Sequence, residues 1–264
     1  MNESTPSMGM NRTGMQMSPL DAQDLQDATQ SLVPGSLPDD DTAIRQIRGQ
    51  YISAGGELGS VPVPGTITGA VTTGMSMLTG QSPQMLIDKL GERMAFERTG
   101  TRLYDAVLTK LSLSPDTGSS ISEVALRTIR NQELAHFTLA AGAIESIGGD
   151  PTAQTPCADL VGIESLGLMQ VVSEPRTSLA QSLHALLVAE LTDNSGWETL
   201  IALADANGQQ AMVEDFTQAL NEEREHLRLV QHWVNELTLG AAPAESLRAS
   251  TATTAEAAPS PSIH

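Results

Sequence analysis

From Ala211 to Leu237 the chain reads AMVEDFTQALNEEREHLRLVQHWVNEL, and no other stretch constrains the fold as strongly. Val213, Phe216, Leu220, Leu227, Val230 and Val234 recur at alternating three- and four-residue spacing, which makes one face of an α-helix apolar. The series is interrupted at Glu223, where a carboxylate stands in line with the apolar residues, and His226 follows one turn later on the same side. A helix with this pattern buries an acid and an imidazole together with its apolar face. An unpaired carboxylate in a low-dielectric interior is costly, so either something inside binds Glu223 and His226 or the helix register is not the one these residues suggest.

The same interruption occurs three more times. In Gln84–Leu113 the stripe Leu86, Leu90, Met94, Thr101, Tyr104, Leu108, Leu111 has Glu97 as its remaining member. In Ile121–Ile147 the stripe Leu126, Ile129, Ala140, Ile144, Ile147 has Glu133 and His136 at its centre, a second Glu-x-x-His. In Thr177–Ala206 the stripe Leu179, Leu183, Leu186, Trp197, Ile201, Ala204 has Glu190 in the middle. The chain thus contains two half-repeats, each a helix with one stripe glutamate, a short turn, and a helix with Glu-x-x-His. Two such motifs at matching places in two halves make coincidence a poor explanation.

Helix geometry brings the six residues level. From Glu97 to the end of its helix is a climb of about 22 Å, and the descent from Ile121 to Glu133 is about 18 Å. For Glu190 and Glu223 the corresponding distances are about 22 and about 17 Å. The short connections 112–120 (SLSPDTGSS) and Asn207-Gly208 make each pair antiparallel, whereas 148–176 is long enough to run the length of a bundle. A short helical turn is expected within it around 166–171. Gly148-Gly149-Asp150-Pro151 ends the second helix by breaker chemistry, and Ser178 is placed to cap the third.

Composition supports an all-α fold: aromatics are only 3%, β-branched runs are scarce, and Ala, Leu, Gln and Glu dominate from residue 83 onward. The expected organisation is an N-terminal extension over 1–82, a helical bundle over 83–238 and a C-terminal tail over 239–264. Both extensions are expected to be flexible. Within the first, Thr42–Ser53 reads as a short helix and Val61–Gly80 as an apolar, Gly-rich belt over the bundle, while Met8, Met10, Met15 and Met17 are taken as incidental rather than a copper site.

A formal charge of −18 opposes nucleic acid or an anionic membrane as partner and favours cations. Cys157 is the single cysteine, so the chain has no internal disulfide or Cys-x-x-Cys metal site, and a reducing cytoplasm is the expected compartment. No secretion signal and no membrane span are expected.

Two helices giving one Glu each and two giving Glu-x-x-His resemble the ferritin-like carboxylate proteins, over residues 84–237. The stretches LGERMAFERTGTRLYDA and AELTDNSGWETLIALA are similar to those of bacterial ferritin-like proteins. The resemblance implies an antiparallel four-helix bundle with a long crossover between its second and third helices, compatible with a homo-oligomer. It implies a dinuclear site in which Glu97 and His136 serve one metal, Glu190 and His226 the other, and Glu133 and Glu223 bridge. Two iron ions are the expected cofactors, with manganese the alternative. O₂ or H₂O₂ is the expected substrate, in ferroxidase or peroxidase chemistry with an external electron donor. Iron binding or storage without turnover, and a dimanganese catalase, are the competing readings. Tyr104, two turns beyond Glu97, is a candidate catalytic residue by the same resemblance, with a core aromatic the alternative. Asp193 and Asn194 are candidates to orient a ligand histidine, against simple exposure. Trp197 reads as core packing, Glu222 and Glu225 as solvent-facing with a supporting or entry role for one of them the alternative, and His184 and His232 as surface or boundary residues.

Overall fold

A computed structural model describes residues 18–32, 42–56, 58–62, 83–114 and 119–240, and all structural statements concern these. The expected Val61–Gly80 belt, the four N-terminal methionines and the C-terminal tail lie almost wholly outside them. The chain divides into two compact units, Pro6–Leu58 and a larger one from Gly59 onward.

The smaller unit contains α1 (Pro19–Leu32) and α2 (Thr42–Ala54). α2 matches the helix expected from Thr42 and has no buried residue, whereas α1 was not anticipated by the low-complexity reading of that region.

The larger unit is entirely helical among the described residues, with α3 (Pro83–Leu113), α4 (Glu123–Ser146), α5 (Pro156–Glu164), α6 (Leu166–Ser173), α7 (Leu179–Ala206) and α8 (Gln210–Gly240). Local chemistry sets the ends. Ser122 accepts a hydrogen bond from the Ala125 amide at the start of α4, and Ser178 and Gln181 form a reciprocal capping box at the start of α7. α4 and α7 finish alike: Gly148 and Gly208 adopt positive φ (84° and 70°), and the next amide in each case reaches back to Ile144 or Ala204 at 2.9 Å. Glycine carries the left-handed conformation that this ending requires.

α3 packs most extensively on α4, and α7 on α8; α3 also packs on α7, while α4 and α8 touch least. Asp105 of α3 pairs with Arg130 of α4, Lys110 with Ser182 of α7, Gln132 of α4 meets His226 of α8, and Trp197 of α7 stacks on Phe216 of α8. Residues 148–178 connect α4 to α7, and the two short helices within them lie against α3. Thr155 sits so close to Gly91 that a Cβ there would approach its Oγ1 to 2.5 Å. The Cys157 amide donates to Asp88, and Lys110 Nζ donates to the carbonyls of Glu174 and Thr177. α6 is longer than the expected turn, and α5 was not expected at all.

The α4 stripe is buried throughout, and those of α3 and α7 are buried except at Met94, Leu111 and Ile201, which are half-buried. On α8 the buried face is rotated by about one residue. Met212, Phe216, Ala219, Leu220, Glu223, His226, Val230, Trp233 and Leu237 are buried, whereas Val213, Leu227 and Val234 are half-buried at its margin. The apolar core falls into two clusters. One includes Leu103, Val107, Leu126, Leu183 and Trp233; the other includes Leu86, Leu90, Ile144, Trp197 and Phe216. The residues that interrupt the stripes belong to neither. No helix among the described residues is long and apolar enough to cross a membrane.

Candidate metal centre

Glu97 of α3, Glu133 and His136 of α4, Glu190 of α7, and Glu223 and His226 of α8 are each at most 3% exposed. All six converge at mid-length of their helices. Glu223 divides its carboxylate between the two imidazoles, with Oε1 2.7 Å from His136 Nδ1 and Oε2 3.3 Å from His226 Nδ1. His136 Nδ1 lies 3.8 Å from Glu97 Oε2. His226 Nδ1 lies 3.4 Å from Glu133 Oε1 and 3.9 Å from Glu190 Oε2. Two overlapping ligand sets result, Glu97/His136/Glu223 and Glu133/Glu190/Glu223/His226, each with donor atoms within 4.8 Å of one another. Glu133 also belongs to a set with Glu97, Glu223 and Asp193.

Gly100 permits this approach. A Cβ on it would collide with the Glu133 carboxylate, so α3 carries no side chain where α4's glutamate crosses it.

A surrounding layer of donors and acceptors fixes which atoms face inward, and it repeats across the two halves. Tyr104, seven residues after Glu97, donates its hydroxyl proton to Glu190 Oε1; Trp197, seven after Glu190, donates Nε1–H to Glu97 Oε1 at 2.9 Å. Each aromatic therefore reaches across from its own helix to the other helix's glutamate. Gln132, just before Glu133, has its Oε1 3.0 Å from His226 Nε2; Glu222, just before Glu223, has its Oε2 3.2 Å from His136 Nε2. With Nε2–H donating outward, each Nδ1 turns a lone pair to the centre. Asn194 Nδ2 donates to the backbone carbonyls of Glu190 and Glu223 at 2.9 and 3.1 Å, tying α7 to α8.

These contacts refine the sequence readings. Trp197 is a donor to a site carboxylate as well as a core aromatic. Glu222 is partly buried and faces His136, whereas Glu225 is exposed, as expected. Neither Asp193 nor Asn194 orients a histidine: Asp193 is 2% exposed and pairs with Arg93, also 2% exposed, and Asn194 holds backbone. His184 and His232 are exposed, as expected. Arg93 lies beside the α3 stripe rather than in it, and an arginine flanking an apolar stripe ordinarily points outward. Its position one turn before Glu97 was the available clue, and the seven-residue offset shared by Tyr104 and Trp197 was the clue to the aromatic pair.

Electrostatics show what the arrangement lacks. Burial, reinforced by the Glu223 charge, raises the Glu97 carboxyl to about 7. The same two causes push Glu133 and Glu190 well above the ordinary carboxylate range. Burial acts in that direction on Glu223 too, but the flanking histidines outweigh it and hold Glu223 down at about 2. Burial lowers both imidazoles, and the surrounding carboxylates, Glu223 foremost, more than reverse this and leave them raised. Burial, then the Glu190 charge, pushes the Tyr104 hydroxyl well up, so it remains a proton donor.

Several inward oxygens have no hydrogen-bond partner: Glu97 Oε2, both Glu133 oxygens and Glu190 Oε2, while Glu223 Oε1 and His136 Nδ1 face only each other. Buried polar groups are rarely left so, and here the unpartnered atoms are the ones the outer layer turns inward. Oxygen and imidazole donors can hold divalent cations, and two such ions balance four carboxylates. The buried Glu/His cluster is therefore compatible with a dinuclear metal site.

Beside it, between α4 and α8, lies a cavity of about 390 Å³ lined by Gln132, Gln218, Asn221, Glu222, Glu225 and His226 among others. It opens onto the outer side of His226. No protein-family model matches the chain, and no curated protein is significantly similar to it.

Proposed function

We propose that α3, α4, α7 and α8 form an antiparallel four-helix bundle of the ferritin-like kind, with residues 148–178 as its long crossover, and that it holds two iron ions and acts on O₂ or peroxide as a ferroxidase or peroxidase. One observation carries this reading: the inward donor atoms of six buried residues converge in two sets that share Glu223. Glu97 and His136 would hold one ion, Glu190 and His226 the other, with Glu133 and Glu223 between them. Bound there, the iron pair supplies redox electrons and open coordination positions for a small oxidant.

The chain's own residues do the rest. Trp197 and Tyr104 each occupy one oxygen of a terminal glutamate, so that the second oxygen alone is offered inward. Glu222 and Gln132 hold the imidazoles in the ligating tautomer. The two apolar clusters exclude bulk water above and below, and the α4/α8 cavity gives a small diatomic or peroxide a lateral approach. Tyr104 holds its proton on Glu190 Oε1 and so keeps that oxygen from a metal bound by the other. The donor set alone does not separate iron from manganese, so the test carries both.

Chelated, tag-free protein is loaded anaerobically with Fe(II) or Mn(II), its metal content measured, and each form mixed with O₂ and H₂O₂ in stopped flow. Two metals per chain and rapid Fe(II) oxidation are expected. Fewer than two metals would remove the centre; turnover of peroxide by the manganese form alone would make it a catalase.

A further inference from the structure

The two halves place the same ligand types around the centre, but one corner carries a charge pair that has no counterpart in the pattern. Arg93 stands four residues before Glu97, where the other half has Leu186 four before Glu190; Asp193 stands three after Glu190, where the other half has Gly100. These two unmatched residues are an ion pair, and both are buried. Arg93 is the only lysine or arginine among the described buried residues. Its guanidinium lies over the rings of Phe96 and Trp197 at 5.0 and 5.8 Å, backs onto Gly196 so closely that a Cβ there would collide with it, and reaches Glu97 Oε1 at 3.5 Å.

Asp193 has carboxylate oxygen within 4.8 Å of Glu97, Glu133 and Glu223, which makes a third potential cation nest adjoining the two ligand sets. The centre therefore contains five buried carboxylates. Two divalent ions neutralise four of them, and Arg93 supplies the fifth positive charge. Arg93 Nη1 faces Asp193 Oδ1 directly, so the guanidinium occupies the oxygen that Asp193 would otherwise offer to a cation.

We propose that Arg93 is a resident cation that fills the Asp193 corner, limits the centre to two metals and keeps Asp193 from ligating. Resting on the dinuclear reading, this assigns Arg93 a positioning and stoichiometry-setting role and gives Asp193 a latent capacity for a third divalent ion. The long methionine of Arg93→Met fills the space without the charge. It is expected to raise Mn(II) content at saturation from two to three per chain, measured by equilibrium dialysis and elemental analysis, and Arg93→Met/Asp193→Asn is expected to return it to two. Arg93→Lys is expected to stay at two.

Because Arg93→Met can unfold the protein, the isosteric Asp193→Asn provides a second arm. It leaves the guanidinium charge uncompensated against the metals, and a unit charge within several ångströms in a poorly screened interior weakens Mn(II) binding by at least about tenfold. The double variant is expected to restore it. A folded Arg93→Met that binds two Mn(II) would overturn the proposal, as would Asp193→Asn with unchanged affinity. Wild type that binds fewer than two metals would instead overturn the dinuclear centre itself.

Discussion

Among the site residues, Glu223 differs from the other glutamates because each of its oxygens faces a different imidazole. Removing it takes a ligand from both sets, so Glu223→Ala is expected to lose both metals, whereas Glu225→Ala, an exposed neighbour paired with Arg228, is expected to keep two. Metal analysis after Mn(II) loading decides between them; equal retention would show that Glu223 does not bridge. Tyr104→Phe keeps the ring and removes only the donor to Glu190 Oε1. A buried oxygen left unpaired costs about 1–3 kcal/mol, which urea unfolding of metal-free protein is expected to register. All six inward residues were legible in the sequence because each breaks an apolar stripe. The partners that aim them were not, because Trp197 and Gln132 act across helices, and only the packed fold specifies which side chains meet.

The helices themselves were legible where long amphipathic stripes end in recognisable chemistry. Ser178 and Gly148 mark boundaries through bonds that the residue types imply. α5 escaped because nine residues containing Gly162 show no resolvable period, and its stability comes from contacts with Gly91 and Asp88 that the local sequence does not display. The rotated face of α8 has a similar origin: Trp233 is large and buried, and packing on the neighbouring helices, rather than periodicity alone, selects it over Val234.

Two glycines show packing and propensity in opposition. Alanine is worth roughly 1 kcal/mol over glycine within a helix, so Gly142→Ala, with open space around its Cβ on exposed α4 surface, is expected to stabilise by about that amount. Gly100→Ala has the same intrinsic gain, but its Cβ would strike the Glu133 carboxylate, and that collision is expected to win, with lower stability and impaired metal loading. Thermal unfolding of the two variants side by side measures the contrast. Stabilisation of both would mean that Glu133 has room to withdraw.

At the scale of the whole molecule, four carboxylates in one interior couple folding to pH and metal. Glu97 is raised to about 7 from an ordinary value of 4.5, so its protonated form favours the fold fully below about 4.5, and that contribution is lost as pH rises through about 7. Glu133 and Glu190 shift in the same direction. The raised imidazoles add to the trend, because their contribution is present at low pH and lost as pH climbs past their folded values. Glu223 alone runs the other way: held at about 2, it contributes above 4.5 and loses that contribution only in strong acid. Metal-free protein should therefore lose stability from pH 6 to pH 8, by about 1.4 kcal/mol per pH unit for each additional proton that the folded state binds. Loaded protein should move oppositely, since ligation requires the deprotonated forms and releases protons as it occurs. Paired thermal melts in chelator and in Mn(II) are expected to diverge across this range. The chain's overall charge of −18 adds general repulsion at high pH, and Glu97→Gln separates the two effects. The amide mimics the protonated acid, so it should flatten the metal-free decline while leaving the surface charge untouched. A metal-free melting temperature that holds steady or rises from pH 6 to 8 would show that the four carboxylates do not share one dry interior.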